Sequence, residues 1–171
     1  MKKISAFILL CFIYLLISCE SNPVNSNAEL MDIAVLSKTP GYQWFDLEIE
    51  KYQPDANVIT QLQSAFTNPN DSIIIFVKPS CSCPGTQQYF PALIKTLREA
   101  NIPLANYKVY SMNSKTANHP YENIFKVNEL PTFFLKNGNN AVYSISDTFY
   151  LSQEKKLNYK LEELLLQAIQ K

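Results

Sequence analysis

Apolar and polar positions alternate along this chain with periods that change from segment to segment. A mostly apolar run from Ile4 to Ile17 follows Met1-Lys2-Lys3 and gives way to Ser18-Cys19 and a small, polar stretch through about Asp32. From Tyr42 onward the pattern becomes that of a folded domain. Phe45, Leu47 and Ile49 alternate with polar residues and predict an amphipathic first strand. Val58, Ile59, Leu62, Ala65 and Phe66 fall at helical spacing, with Asp55 or Asn57 as N-cap, and Asn68-Pro69-Asn70-Asp71 closes that helix. Ile73-Ile74-Ile75-Phe76-Val77 is a continuous β-branched and aromatic run, which fits a strand buried on both faces at the centre of a sheet.

After the cysteines the segment from Pro84 to Ala100 carries Tyr89, Phe90, Leu93, Ile94 and Leu97 on one side and predicts a long helix kinked at Pro91. Tyr107 to Met112 reads as a strand, and Tyr121 to Val127 as a short helix or turn. Pro131 to Lys136 and Ala141 to Ile145 read as a hairpin turning at Asn137-Gly138. A helix from about Gln153, with Leu157, Leu161, Leu164, Leu165, Ala168 and Ile169 as its apolar stripe, ends the chain. The predicted order is βαβαβαββα. It implies an α/β fold with a central mixed β-sheet, parallel pairs joined by helices, and helices on both faces. There is no internal repeat.

The start of the chain sets its destination. Two lysines, an apolar run shorter than the roughly twenty residues of a membrane-crossing helix, and a small-residue end have the layout of an export signal. Leu16-Ile17-Ser18-Cys19 resembles the lipobox of bacterial lipoproteins, and that resemblance makes Cys19 the lipidated mature N-terminus. The expected organisation is a signal peptide over 1–18, a lipid-anchored flexible tether over 19–41 and one domain over 42–171. The protein is then a membrane-anchored, extracytoplasmic lipoprotein, on the periplasmic side of the inner or the outer membrane. The formal net charge is +0; losing Lys2 and Lys3 leaves the mature chain near neutral and slightly acidic. A nucleic-acid partner, which needs a basic face, is not expected. Tyr and Phe fall mostly on element faces and are assigned to the core.

Of four cysteines, Cys11 leaves with the signal and Cys19 is committed to lipid. Cys81 and Cys83 remain, two neighbouring thiols in an oxidising setting, so a disulfide or redox role is favoured over inert packing.

Leu130-Pro131-Thr132-Phe133-Phe134-Leu135-Lys136-Asn137-Gly138 resembles the cis-proline segment of thioredoxins. The strand 73–77, the cysteine-bearing loop and a helix containing Pro91 follow in that family's order, so the resemblance runs from about Trp44 to the end. It implies a thioredoxin-like fold, thiol–disulfide exchange with protein thiols or disulfides, Leu130 and Pro131 on the substrate-facing edge, and a redox partner in the membrane as a further candidate. The site departs from the family's Cys-x-x-Cys, since this chain has Ser80-Cys81-Ser82-Cys83-Pro84-Gly85-Thr86. Counting from the strand matches Cys81 to the family's first cysteine. Counting back from Pro91 matches Cys83 instead, with Thr86 at the second position, and an insertion of two residues reconciles both counts. The family's tryptophan before the first cysteine is absent, and Ile75 or Val77 replaces its buried acid.

Chemistry at this spacing needs a thiolate. A cysteine at a helix N-terminus has its pKa lowered by unpaired amides, and Pro84 suits the first helical position. Cys83 is therefore assigned as nucleophile and Cys81 as resolving thiol. Extended backbone would separate their Cα atoms by ~6.6 Å, near the upper limit for a bridge, so the loop must bend. The expectation leans to a disulfide donor or isomerase, with no cofactor and no resident metal. Two other readings stay open. One is a copper-binding chaperone using both thiolates with Met112 or His119. The other is a non-catalytic binding module in which the Cys81–Cys83 bond is structural.

Overall fold

The computed structural model describes residues 27–79, 81, 83 and 85–171. The export signal, Cys19, Ser80, Ser82 and Pro84 lie outside the described residues.

The run of Ile73 to Val77 forms the middle of β2 (Asp71–Val77), with Ile73 through Val77 fully buried. A strand so apolar on both faces must be flanked on both sides and covered on both faces. β3 (Tyr107–Ser111) pairs with it in parallel and β4 (Thr132–Asn137) antiparallel. β5 (Asn140–Ser144) completes a hairpin with β4, and Gly138 takes a left-handed φ of 55° at its turn. β1 (Glu29–Met31) pairs antiparallel with the free edge of β3. The result is a five-stranded mixed sheet in the order β1-β3-β2-β4-β5.

The outer strand corrects two expectations. Residues 29–38, assigned to the tether, carry β1 and a 3-10 helix (Ile33–Lys38) whose Ile33 and Leu36 are buried. The predicted strand at 44–49 is instead helix α1 (Phe45–Lys51). Phe45 and Ile49, four apart, enter the core while Leu47 stays 65% exposed, which is one helical face rather than one face of a strand. The slot beside β3 is already filled by residues 29–31.

The remaining helices are α2 (Ala56–Ala65), α3 (Phe90–Glu99), α4 (Ile145–Glu154) and α5 (Leu161–Ile169). Asp55 caps α2 by accepting from the Asn57 and Val58 amides at 2.9 and 3.3 Å. Five residues, Gly85–Tyr89, form a π-helical turn that leads directly into α3, so the irregularity expected at Pro91 falls just before it. The single C-terminal helix expected from Gln153 is two helices. Lys156 and Asn158 adopt left-handed φ values of 57° and 51° between them, and Leu157 is 54% exposed.

The layers also differ from expectation. Helices α1 to α5 bury their apolar residues in one cluster with Ile73, Ile75, Val77, Phe133 and Leu135. The opposite face, with Ile74, Phe76, Tyr110 and Phe134, is covered by the irregular segment between β3 and β4 through Met112, Ala117, Phe125 and Val127. Phe125 stacks on Phe134 with centroids 4.3 Å apart. Among the described residues no helix is laid across this face, and aromatic and aliphatic side chains close it. Among the described residues no helix is long and apolar enough to cross a membrane.

Candidate functional site: a disulfide at the head of a helix

β2 delivers the chain to the end of the sheet, where Lys78 and Pro79 start the cysteine loop. The loop is held on two sides before the first cysteine. The Met112 amide donates to the Val77 carbonyl at 2.8 Å, and the Cys81 amide to the Lys78 carbonyl at 3.4 Å. Gly41, with φ of 88°, lies so close to Pro79 that a Cβ there would sit 3.4 Å from the Pro79 carbonyl oxygen. The next residue, Tyr42, is buried and its hydroxyl donates to Ser111 Oγ at 3.4 Å. Burial, partly offset by that hydrogen bond, pushes the Tyr42 phenol up to about 12.

Cys81 and Cys83 are joined in a disulfide with their Cα atoms 5.2 Å apart. That is well short of the extended spacing, so the loop bends as the bridge requires. The two sulfurs have different surroundings. The Cys83 amide donates to Cys81 Sγ at 3.2 Å, while Cys83 Sγ lies 3.5 Å from the hydroxyl of Thr86, a residue with no exposed surface. The Cys83 carbonyl accepts from the Gln87 amide at 3.0 Å, which ties it into the helical run that follows. Cys83 thus stands at the head of a helix and Cys81 one turn of loop behind it. Thr86, which the count from Pro91 put at the family's second cysteine position, is brought against Cys83.

Pro131 reaches this loop through Gly85. The Leu130–Pro131 peptide bond is cis. A Cβ on Gly85 would come within 2.7 Å of Pro131 Cδ and 3.3 Å of the Tyr150 hydroxyl, so only a glycine fits between them. Leu130 is half-buried beside the aromatic cluster around Phe76 and Phe134.

Helix α4 braces the proline segment. Tyr150 donates to the Pro131 carbonyl at 3.3 Å, Ser146 Oγ lies 2.7 Å from Thr132 Oγ1, and the Phe133 amide donates to Ser146 Oγ at 3.1 Å. Burial, then the nearby charges of Glu129, Tyr89 and Asp147, push the Tyr150 phenol up to about 12, so it keeps its donor proton. The sequence reading missed Gly85, Ser146 and Tyr150. Gly85 left a signal, being one of three glycines in the chain and standing two residues after Cys83. Ser146 and Tyr150 are spaced four apart, but that spacing speaks only once a helix is known to start at Ile145.

The residues weighed as extra metal ligands belong elsewhere. Met112 is fully buried in the aromatic cluster. His119 lies on the Phe76 ring at 4.7 Å, and its Nδ1 accepts from the Tyr121 amide at 3.3 Å. Burial lowers its pKa, with Glu122 opposing. Among the described residues no three His, Cys, Asp or Glu side chains gather where they could hold a metal.

No protein family, curated protein or solved structure matches this chain.

Proposed function

We propose that this chain is a thioredoxin-like domain that exchanges disulfides with protein thiols outside the cytoplasm, held to a membrane by lipid on Cys19. The observation that carries the reading is the Cys81–Cys83 disulfide at the head of a helix, with the Thr86 hydroxyl against one sulfur and Pro131 packed on the glycine that follows.

Each sulfur has a donor suited to a thiolate. In the donor direction a substrate thiolate attacks Cys83 Sγ and forms a mixed disulfide. The Cys81–Cys83 bond breaks, and Cys81 leaves as a thiolate facing the Cys83 amide. A second substrate thiolate then attacks the substrate sulfur of the mixed disulfide. The substrate disulfide forms and Cys83 leaves as a thiolate facing Thr86 and the helix amides. Two electrons and the substrate's two protons end on the cysteine pair. A thiol oxidant, a redox partner in the membrane, restores the bond. The reverse sequence, begun by the Cys83 thiolate on a substrate disulfide and resolved by Cys81, reduces or isomerises substrates.

The test is a pair of single variants with a measured reduction potential. Cys81→Ser should keep a reactive thiol and trap mixed disulfides with peptide substrates, whereas Cys83→Ser should trap few. Reversal of that order would transfer the nucleophile to Cys81. If the oxidised pair resists ordinary thiol buffers and neither variant traps a partner, exchange is refuted and the bond is a structural staple. The anchor is checked separately: Cys19→Ser should move the protein from the membrane to the soluble fraction.

A further inference from the structure

Gly85, Gln88 and Tyr89 lie in the π-helical turn after the cysteines, and Ala92 lies in the first turn of α3. Gly85 carries the Pro131 contact, and the other three line a cleft of about 430 Å³ formed with Tyr52, Phe149, Gln153 and Tyr159. A chain of side-chain contacts links Pro131 to the cleft. Tyr150, bonded to the Pro131 carbonyl, lies 6.4 Å from the Tyr89 ring, and Tyr89 meets Phe149 edge-on at 4.7 Å.

We infer that this cleft is a specificity pocket of the exchange site and takes an aromatic side chain of an extended substrate polypeptide, two or three residues from its reacting cysteine. The inference rests on the exchange reading above. Its geometry follows from the side chains that join the two places. The Tyr150 ring, bonded to the Pro131 carbonyl, lies 6.4 Å from the Tyr89 ring in the cleft wall. An extended peptide covers that span in about two residues at about 3.3 Å each, and the step from Pro131 to Cys83 lengthens it. The chemistry of the walls selects the occupant. Tyr52, Tyr89, Phe149 and Tyr159 offer ring faces and edges, and Gln88 and Gln153 offer amides to peptide backbone. Among the described residues no Asp or Glu lines the cleft, and Lys160 is the one charged residue that does. Two carboxylates adjoin lining residues in sequence: Glu154, beside Gln153, is exposed and is not part of the lining, and Glu162, beside Leu161, is fully buried and accepts from the Tyr52 hydroxyl and the Asp55 amide, so it serves the wall rather than a ligand. An uncharged aromatic group fits these walls and gains its burial at little polar cost.

The probe is a set of single-cysteine peptide thiols with Trp or Ala at each of the four positions on either side of the cysteine. Each is reacted with the oxidised full-length protein, and loss of the Cys81–Cys83 bond is followed over time. Trp at one position two or three residues from the cysteine should react about tenfold faster than Ala there. Gln88→Trp and Gln153→Trp, at exposed helix positions, should fill the cleft and bring the Trp-to-Ala rate ratio close to one. Equal rates for all peptides in the wild-type protein, or a ratio that both filling variants leave intact, would overturn the pocket while leaving exchange standing. Failure of the wild-type protein to react with any peptide or with dithiothreitol would refute the exchange reading instead.

Discussion

Replacing Thr86 with valine removes one hydroxyl from the site and little else. Thr86 has no exposed surface, and its hydroxyl lies 3.5 Å from Cys83 Sγ; valine keeps the β-branched shape. In the oxidised protein the change should be nearly silent. In the reduced protein a Cys83 thiolate would lose a buried donor. A hydrogen bond to a charged group contributes roughly 1.5–3 kcal/mol, and the length of this one places it at the low end. At 1.36 kcal/mol per unit, the Cys83 thiol pKa should rise by about one unit. The reduced form should be destabilised in step, making the potential more negative by about 30 mV. The assay is the alkylation rate of Cys83 against pH in a Cys81→Ser background, compared among Thr86, Thr86→Val and Thr86→Ser. Serine keeps the hydroxyl and should restore the lower midpoint. An unchanged midpoint in Thr86→Val, or a rise that Thr86→Ser fails to reverse, would falsify the assignment of that hydroxyl to the thiolate.

Gly85→Ala places a methyl group 2.7 Å from the Pro131 ring, so the proline segment must shift; we expect a loss of about 1–3 kcal/mol in urea unfolding and slower peptide exchange, and a variant with wild-type stability would show that the contact yields. Glu162→Ala strands the Tyr52 hydroxyl and the Asp55 amide behind α5 and should cost about 2–4 kcal/mol; Glu162→Gln, which keeps one acceptor and the volume, should cost less by the same measurement. Tyr42 and Tyr150 have pKa values raised by burial from 10.0 to about 12. The unfolded chain therefore releases these protons first, so their stability is fully present below pH 10 and falls as pH rises towards 12. The urea midpoint should drop over that window, and Tyr150→Phe should lessen the drop.

The parts of this fold that could be read from the sequence are those where one local pattern has one interpretation. A continuous apolar run such as 73–77 has no exposed face in any arrangement, so β2 had to be central. Asp55 ahead of a helical stripe, and a hairpin between two strands, were legible for the same reason, although the turn expected at Asn137-Gly138 falls one residue later, with Asn137 still in β4. Segments whose pattern fits two periods were not. Seven residues from Phe45 satisfy a strand by alternation and a helix by the spacing of Phe45 and Ile49. The choice lay with β1, a three-residue strand in a polar stretch with Leu30 63% exposed. Its pairing is made by backbone groups, and backbone hydrogen bonds leave little trace in side-chain composition.

At the candidate site the sequence by itself determined the inventory: two cysteines one residue apart, a glycine and a threonine after them, and a distant Leu-Pro-Thr segment ahead of an apolar strand. Only the tertiary structure decided which of these touch. The order β3-β2-β4 sets the end of β2 beside the start of β4, which brings Pro131 onto Gly85 across a wide gap in the chain. The break at 155–160 frees α4 to lie along β4, where Ser146 and Tyr150 hold the proline segment and Phe149 closes the cleft. These contacts depend on register and layer order, which are fixed by packing the whole core at once. No window of neighbouring residues contains that information.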